Sequence, residues 1–256
     1  MIPKIIHYCW FGRNPLPELS QRCIASWKKY LPDYEIKEWN EDNFDVNIIP
    51  YTAEAYAAKK YAFVSDYARF WILNKYGGIY FDTDVEVIHS FDDIVENGNF
   101  MGFEVDPNGE NSPEKYAPRY AFCVNPGLGI GMEKGHPFLQ KMLDYYADLH
   151  FVNETLNPWF ETIVAHTTRY LVKEGLQNKK GIQRVGDITI YPQVYFAPIN
   201  VISERLHLTS QTYSIHQYMG SWNNNGKTLK NMIRYLVPEW LFFLNNKLKR
   251  RKYRRK

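Results

Sequence analysis

The sequence is poor in the features that would remove it from the ordinary soluble globular proteins. Its three cysteines, Cys9, Cys23 and Cys123, form no CxxC or CxxH pattern. That excludes a disulfide framework and a zinc ribbon, and it reads as buried thiols in a reducing compartment. No apolar run reaches the roughly 18 residues a simple membrane-spanning helix needs. Residues Met1 to His7 lack the basic start and long apolar stretch of a signal peptide, so the expected location is the cytoplasm. No internal repeat and no low-complexity linker divides the chain, so one domain is expected over 1–228, with an appendage at 229–256. Excess charge is scarce too: the formal net charge is only +3. Seven of the last nine residues are basic and none is acidic, which leaves the body mildly acidic. The basic balance is therefore local, and no nucleic-acid partner is expected.

What is abundant is aromatic surface, at 16% of the residues, with 20 Tyr and 7 Trp. A flat apolar face with a polar edge suits stacking on nucleobases and sugar rings as well as core packing. Lys4 to Phe11 reads as a short strand, and Glu18 to Tyr30 has helical spacing through Leu19, Cys23, Ile24 and Trp27. Tyr34 to Trp39 alternates as a second strand. Strand, helix, strand is the opening of an α/β protein with a mainly parallel sheet. Ala53 to Tyr76 contains neither Gly nor Pro and predicts one long helix, stopped by Gly77-Gly78. Ile79 to Ile88 alternates as a strand, and Phe100 to Val105 reads as another. Asn125 to Gly131 is a glycine-rich turn, His136 to His150 a helix, and Ile188 to Phe196 a strand or an extended loop.

The chemistry concentrates in the acids. On an extended segment Asp82 and Asp84 project to one side, with Cα atoms ~6.6 Å apart. Two such carboxylates repel unless a hard divalent cation relieves them, and a cation there can bridge a diphosphate and neutralise a leaving group. Asp-x-Asp alone is short and frequent, and two solvated aspartates at a strand end would look the same. Upstream, Asp66 and Arg69 lie three apart on the expected helix, hence on one face. Such a pair is ordinarily a surface ion pair of little consequence, but this helix is rich in Ala and aromatics and should be largely buried.

The run from Ala62 to Val87, AFVSDYARFWILNKYGGIYFDTDVEV, resembles the sugar-binding segment of the family 32 glycosyltransferases. These include capsular polysaccharide enzymes and initiating mannosyltransferases, and the run is also similar to the catalytic domain of the large glucosylating toxins. Ile2 to Gly12 resembles the opening strand of that family, and His216 to Trp222 its closing motif. The resemblance is weak between about 140 and 210. It implies a GT-A fold, a nucleotide-sugar donor (a UDP-sugar being favoured), a saccharide or lipid-linked acceptor, and Mn2+ or Mg2+. It further implies that Asp84 holds the metal and that Asp82 contacts ribose or donor sugar, and possibly the metal. His216 would be a third ligand, Asp66 and Arg69 would hold sugar hydroxyls, and Ser65 and Tyr80 would line the nucleoside pocket. Trp10, or failing it Phe11, would stack on the base, while Ser221 and Trp222 close over the diphosphate and Asn125 borders the acceptor.

Transfer with retention is implied in the same way. Asp82 and Asp84 are both engaged in that scheme, so no nucleophile can be assigned and front-face displacement is the economical mechanism. Residues 229–256 carry an apolar stripe (Leu229, Met232, Ile233, Leu236, Val237, Trp240, Leu241, Leu244) followed by the basic cluster. That pattern suits either an interfacial segment on the inner face of an anionic membrane or a terminal helix packed on the body. A metal-dependent phosphohydrolase and a non-catalytic carbohydrate-binding protein are the alternatives carried on the same residues.

Overall fold

The computed structural model describes residues 1–107, 122–151, 162–200 and 205–219. The first half contains β1 (Ile5–Cys9), α1 (Glu18–Tyr30), β2 (Glu35–Trp39), α2 (Pro50–Ala57), α3 (Tyr61–Tyr76), β3 (Gly78–Tyr80), β4 (Val85–Val87), α4 (Asp92–Glu96) and β5 (Phe100–Val105). There follow β6 (Cys123–Val124), β7 (Ile130–Met132), α5 (Pro137–Ala147), α6 (Ile163–Lys173), β8 (Gln183–Val185), β9 (Ile188–Tyr191), α7 (Gln193–Phe196), β10 (Ile199–Asn200), β11 (Arg205–Leu206) and β12 (Ser214–His216).

The main sheet runs β2-β1-β3-β7-β5-β9-β8, with β6 added to β5. Along that order β1, β2, β3, β5 and β9 point one way and β7 and β8 the other. The architecture is thus mixed α/β with a mostly parallel central sheet. Both faces are covered, as parallel strands require. On one face Ile6 and Tyr8 of β1 join Ile24, Trp27 and Leu31. On the other, Cys9 joins Val64, Tyr67, Ala68 and Ile72 of α3. Burial at Ser20, Cys23, Ile24 and Trp27 gives α1 the single apolar stripe its spacing predicts.

Two expectations need correction. The single helix over 53–76 is two helices, α2 and α3, separated at Lys59, whose φ of 58° is left-handed. Lys60 N–H donates to the Ala55 carbonyl there (2.9 Å), closing the first helix by a backbone turn that needs neither Gly nor Pro. The strand over 79–88 is likewise broken. β3 belongs to the main sheet, whereas β4 pairs antiparallel with β12 in a separate ribbon. Asp82 to Asp84 form the turn between them, with Val85 N–H on the Asp82 carbonyl at 3.1 Å.

The double glycine is required by close approach. Gly77 and Gly78 both have positive φ (67° and 108°), and a Cβ on Gly78 would lie 2.6 Å from the Ile5 carbonyl. His7 locks this junction. Its Nδ1 accepts from Trp39 Nε1 (3.1 Å), so Nε2 carries the proton given to the Gly77 carbonyl (2.9 Å). Burial lowers the His7 pKa to about 4, which keeps the ring neutral in this role.

Candidate active site

The site forms where the carboxyl ends of β1, β3 and β5 meet the β4–β12 ribbon. The turn after β3 carries Asp82 and Asp84, and β12 brings His216 to them from far along the chain. His216 Nε2 is 3.2 Å from Asp84 Oδ1 and 4.0 Å from Asp82 Oδ2. One ligand atom from each of these residues lies within 4.8 Å of the others. The two carboxylates therefore converge through a turn and a facing strand, and not through the alternation of an extended segment.

This donor set fits a divalent cation. It offers two carboxylates and an imidazole whose Nε2 faces both of them, a mixture suited to a divalent ion such as manganese better than to a soft metal. Burial favours a neutral His216, but the Asp84 and Asp82 carboxylates, with Glu104, outweigh it and raise the pKa to about 9. Asp84 is held on its other oxygen, Oδ2, by the Met219 N–H (2.8 Å), and its carbonyl accepts from Gln217 N–H (2.9 Å).

Beside the acids stands a second charged group. Arg69 is 3% exposed and its guanidinium reaches Asp66 Oδ1 (2.9 Å) and Asp82 Oδ1 (3.3 Å). It also lies over the Tyr80 ring at 4.7 Å. One guanidinium nitrogen, Nη1, is buried without a hydrogen-bond partner among the described residues, a donor available to a ligand. Burial raises the Asp66 pKa to about 7 even though Arg69 opposes the rise. For Asp82, Arg69 and His216 overcome burial and hold the carboxyl below its ordinary range.

The remaining expected residues are distributed as follows. Trp10 follows β1, is partly exposed and anchors its indole N–H on the Asn14 carbonyl (2.6 Å). Phe11 is buried against Phe44, which makes it core. Ser65 is half-buried, with its hydroxyl on the Tyr61 carbonyl (3.2 Å), and Tyr80 is fully buried beneath Arg69. Asn125 is buried, and its Oδ1 accepts from Gly127 N–H (2.7 Å). Ser221 and Trp222 lie outside the described residues.

Three further groups escaped the motif reading. The Cys9 thiol sits against Tyr80 and Ser65 beside Arg69, and burial pushes its pKa up to about 12. Gly127 gives its carbonyl to Asp82 N–H (3.0 Å), and a Cβ at this position would overlap Asp82 Oδ2. Glu104, next to last in an otherwise apolar strand, lies near His216, Asp82 and Asn125. Its signal was present, since an isolated acid in Phe-Met-Gly-Phe-Glu-Val breaks a buried pattern.

Residues 17–101 match the family model described as "Glycosyltransferase sugar-binding region containing DXD motif". The chain is 22% identical over 283 residues to the initiation-specific alpha-1,6-mannosyltransferase of Candida albicans, covering 88% of this chain and 73% of that protein. It is 30% identical over 146 residues to inositol phosphoceramide mannosyltransferase 3 of Schizosaccharomyces pombe, covering 56% of this chain and 36% of the relative. Among solved structures the PaToxG glycosyltransferase superposes with a TM-score of 0.49 at 21% identity, over 68% of this chain and 70% of the other.

Proposed function

We propose that this chain, a glycosyltransferase bearing the DXD sugar-binding region of its class, is a metal-dependent retaining hexosyltransferase of GT-A type. In this reading it moves a sugar from a nucleotide-diphosphate sugar to a saccharide or lipid-linked acceptor. The observation that carries the reading is the convergence of Asp82, Asp84 and His216, ligand atoms within 4.8 Å, beside the buried Asp66–Arg69 pair.

Asp82, Asp84 and His216 hold the cation, manganese being the best match to two carboxylates and an imidazole. A cation bound there neutralises charge on the departing diphosphate. Arg69 Nη1 and the Asp66 carboxylate take hydroxyls of the donor sugar, and Tyr80 and Ser65 line the nucleoside side. Trp10 stacks on the base, and Ser221 and Trp222 close over the diphosphate. The fixed orientation of these groups supplies the positioning that front-face displacement needs. Mannose is the favoured sugar because the relatives are named mannosyltransferases, and UDP and GDP are the bases to screen. The named lipid acceptor of one relative supports a lipid-linked acceptor here, as in capsular or surface polysaccharide synthesis. Residues 229–256 lie outside the described residues; contact of this apolar and basic segment with the inner membrane face belongs to the same proposal and is tested by vesicle sedimentation with and without it. No helix among the described residues is long and apolar enough to cross a membrane.

A panel of UDP- and GDP-sugars, followed by nucleoside diphosphate release, tests the reading. Release is expected with Mn2+ and should vanish on chelation; release that ignores chelation overturns the metal assignment.

The same site predicts a pH dependence. The ligand form of His216 is neutral, whereas the ring without metal holds its proton up to about pH 9. Binding therefore releases a proton, and affinity for Mn2+ should rise about ten-fold per pH unit from about pH 6 to 8, levelling above about 9. Calorimetric titration at several pH values measures this slope. His216→Gln should flatten it, and an equally steep slope in that variant removes His216 from the ligand set.

A further inference from the structure

Glu104 has no role in the site as described, yet its surroundings are organised. It is the next-to-last residue of β5 and partly exposed, in a strand where Phe100, Met101, Phe103 and Val105 are all buried. A carboxylate in such a strand is expensive to desolvate, and no Lys or Arg among the described residues forms an ion pair with it. It stands near the acids without joining them: the cluster of potential metal ligands comprises Asp82, Asp84 and His216 alone among the described residues.

Its neighbours fix its orientation. Asn125 has committed Oδ1 to the Gly127 N–H at 2.7 Å. A carboxylate only accepts hydrogen bonds, so Asn125 must turn its NH2 toward Glu104. The Cys123 thiol donates to Glu104 Oε2 at 3.9 Å, while the nearby Tyr218 hydroxyl is buried without a hydrogen-bond partner among the described residues, its ring packed on His216 with centroids 4.4 Å apart. Glu104 thus rests on the Cys123–Gly127 segment, which abuts Asp82, and has the unpartnered Tyr218 hydroxyl of the His216 segment beside it.

The sheet order says which part of a substrate it meets. Trp10 follows β1, Asp82 follows β3 and Glu104 is next to last in β5, in the spatial order β1-β3-β7-β5. Glu104 is therefore across Asp82 from Trp10, away from the end that takes the base. Diphosphate and base are already served by Asp82, Asp84, His216 and Trp10, and a carboxylate would repel phosphate. A paired carboxylate and amide matches the acceptor and donor needs of a sugar hydroxyl.

We infer that Glu104, oriented by Asn125, holds the attacking hydroxyl of an uncharged sugar acceptor. The inference rests on the transferase reading above. In the step it serves, the acceptor oxygen bonds to the anomeric carbon while the bond from that carbon to the diphosphate oxygen breaks, its electron pair leaving with the diphosphate. The hydroxyl proton passes to the departing diphosphate oxygen, and Glu104 accepts a hydrogen bond that aims the hydroxyl.

The test uses the full chain with Mn2+, GDP-mannose and UDP-glucose as donors, and water or methyl α-mannoside as acceptor. Nucleotide affinity is measured separately by calorimetry with GDP and UDP. Glu104→Gln should lower kcat for nucleotide release about ten-fold or more, with donor KM and nucleotide affinity within about two-fold of wild type. Glu104→Asp should recover part of the rate, because it keeps the charge. A Glu104→Gln enzyme with wild-type kcat overturns the inference. So does a parallel loss of nucleotide affinity and rate, which would assign Glu104 to the donor side or to folding. A wild-type enzyme that binds nucleotide with Mn2+ but releases none from either donor overturns the transferase reading, and this inference with it.

Discussion

Asp84→Ala is expected to lower sugar transfer by on the order of 10³-fold while the protein remains folded. Asp84 uses Oδ1 toward His216 and Oδ2 for the Met219 N–H, so the substitution removes a charged ligand and releases the following segment. The turn itself survives. It is held by the backbone, through Val85 N–H on the Asp82 carbonyl (3.1 Å) and Asp82 N–H on the Gly127 carbonyl (3.0 Å). Losing the bond to Met219 costs about 1 kcal/mol, and losing the buried His216 contact at 3.2 Å adds to it, although Asp82 still faces the ring. Tm should therefore fall by several degrees, at about 2–4 °C per kcal/mol for a chain of this size. Nucleotide release with Mn2+ measures the first effect and thermal denaturation the second. Near-normal turnover in this variant would remove Asp84 from the metal site, and gross unfolding would show that its role is structural. Asp84→Asn separates charge from shape: it keeps the acceptor for Met219 and should still fail to bind Mn2+ tightly.

Arg69→Ala is expected to be the most destabilising substitution in the site. Arg69 is nearly inaccessible and shared between Asp66 and Asp82. Removing one partner of a buried ion pair leaves an uncompensated carboxylate and costs about 3–5 kcal/mol. The Asp66 carboxyl, already raised to about 7 by burial against the pull of Arg69, would go higher and bind a proton at neutral pH. Asp82 is more exposed and loses less. The expected fall in Tm is on the order of 10 °C, and donor hydrolysis should fall with it. Arg69→Lys keeps the charge without the planar fork that reaches both carboxylates and lies over Tyr80, so it should recover stability only in part. An alanine variant with wild-type Tm would mean that the guanidinium is not the neutralising group. Asp66→Asn in the Arg69→Ala background offers an independent check, because removing the stranded charge should restore part of the lost stability.

Much of the donor side could be read from sequence because it depends on short-range spacing. Asp66 and Arg69 fall on one helical face by period alone, and Gly77-Gly78 must precede a strand that presses against β1. The α1 stripe from Ser20 to Trp27 is equally local, and Glu18 and Tyr30 bound that helix as the spacing predicts. What could not be read depends on distant partners. The break at Lys59 uses a backbone turn by a residue with no special propensity for it. The turn at Asp82–Asp84 hides inside a clean alternation, because β4 leaves the main sheet to pair with β12, and nothing in residues 79–88 announces that pairing. Glu104 was missed since its significance lies in Asn125 and Tyr218, neither of which shares a motif with it.

The β4–β12 ribbon has a consequence for how the enzyme comes into being. Domains acquire structure from the N-terminus as synthesis proceeds, and β1, α1, β2, α3 and β3 all precede residue 81. The parallel strands β2, β1 and β3 are therefore all synthesised well before His216. The third ligand arrives only after more than a hundred further residues, when β12 docks on a β4 that has been waiting for it. A message cut short before codon 216 would yield a chain that lacks the partner strand of β4 and the imidazole beside Asp82 and Asp84. Ribosomes still at work on this protein thus carry chains in which Asp82 and Asp84 are already made and the His216 that meets them is not.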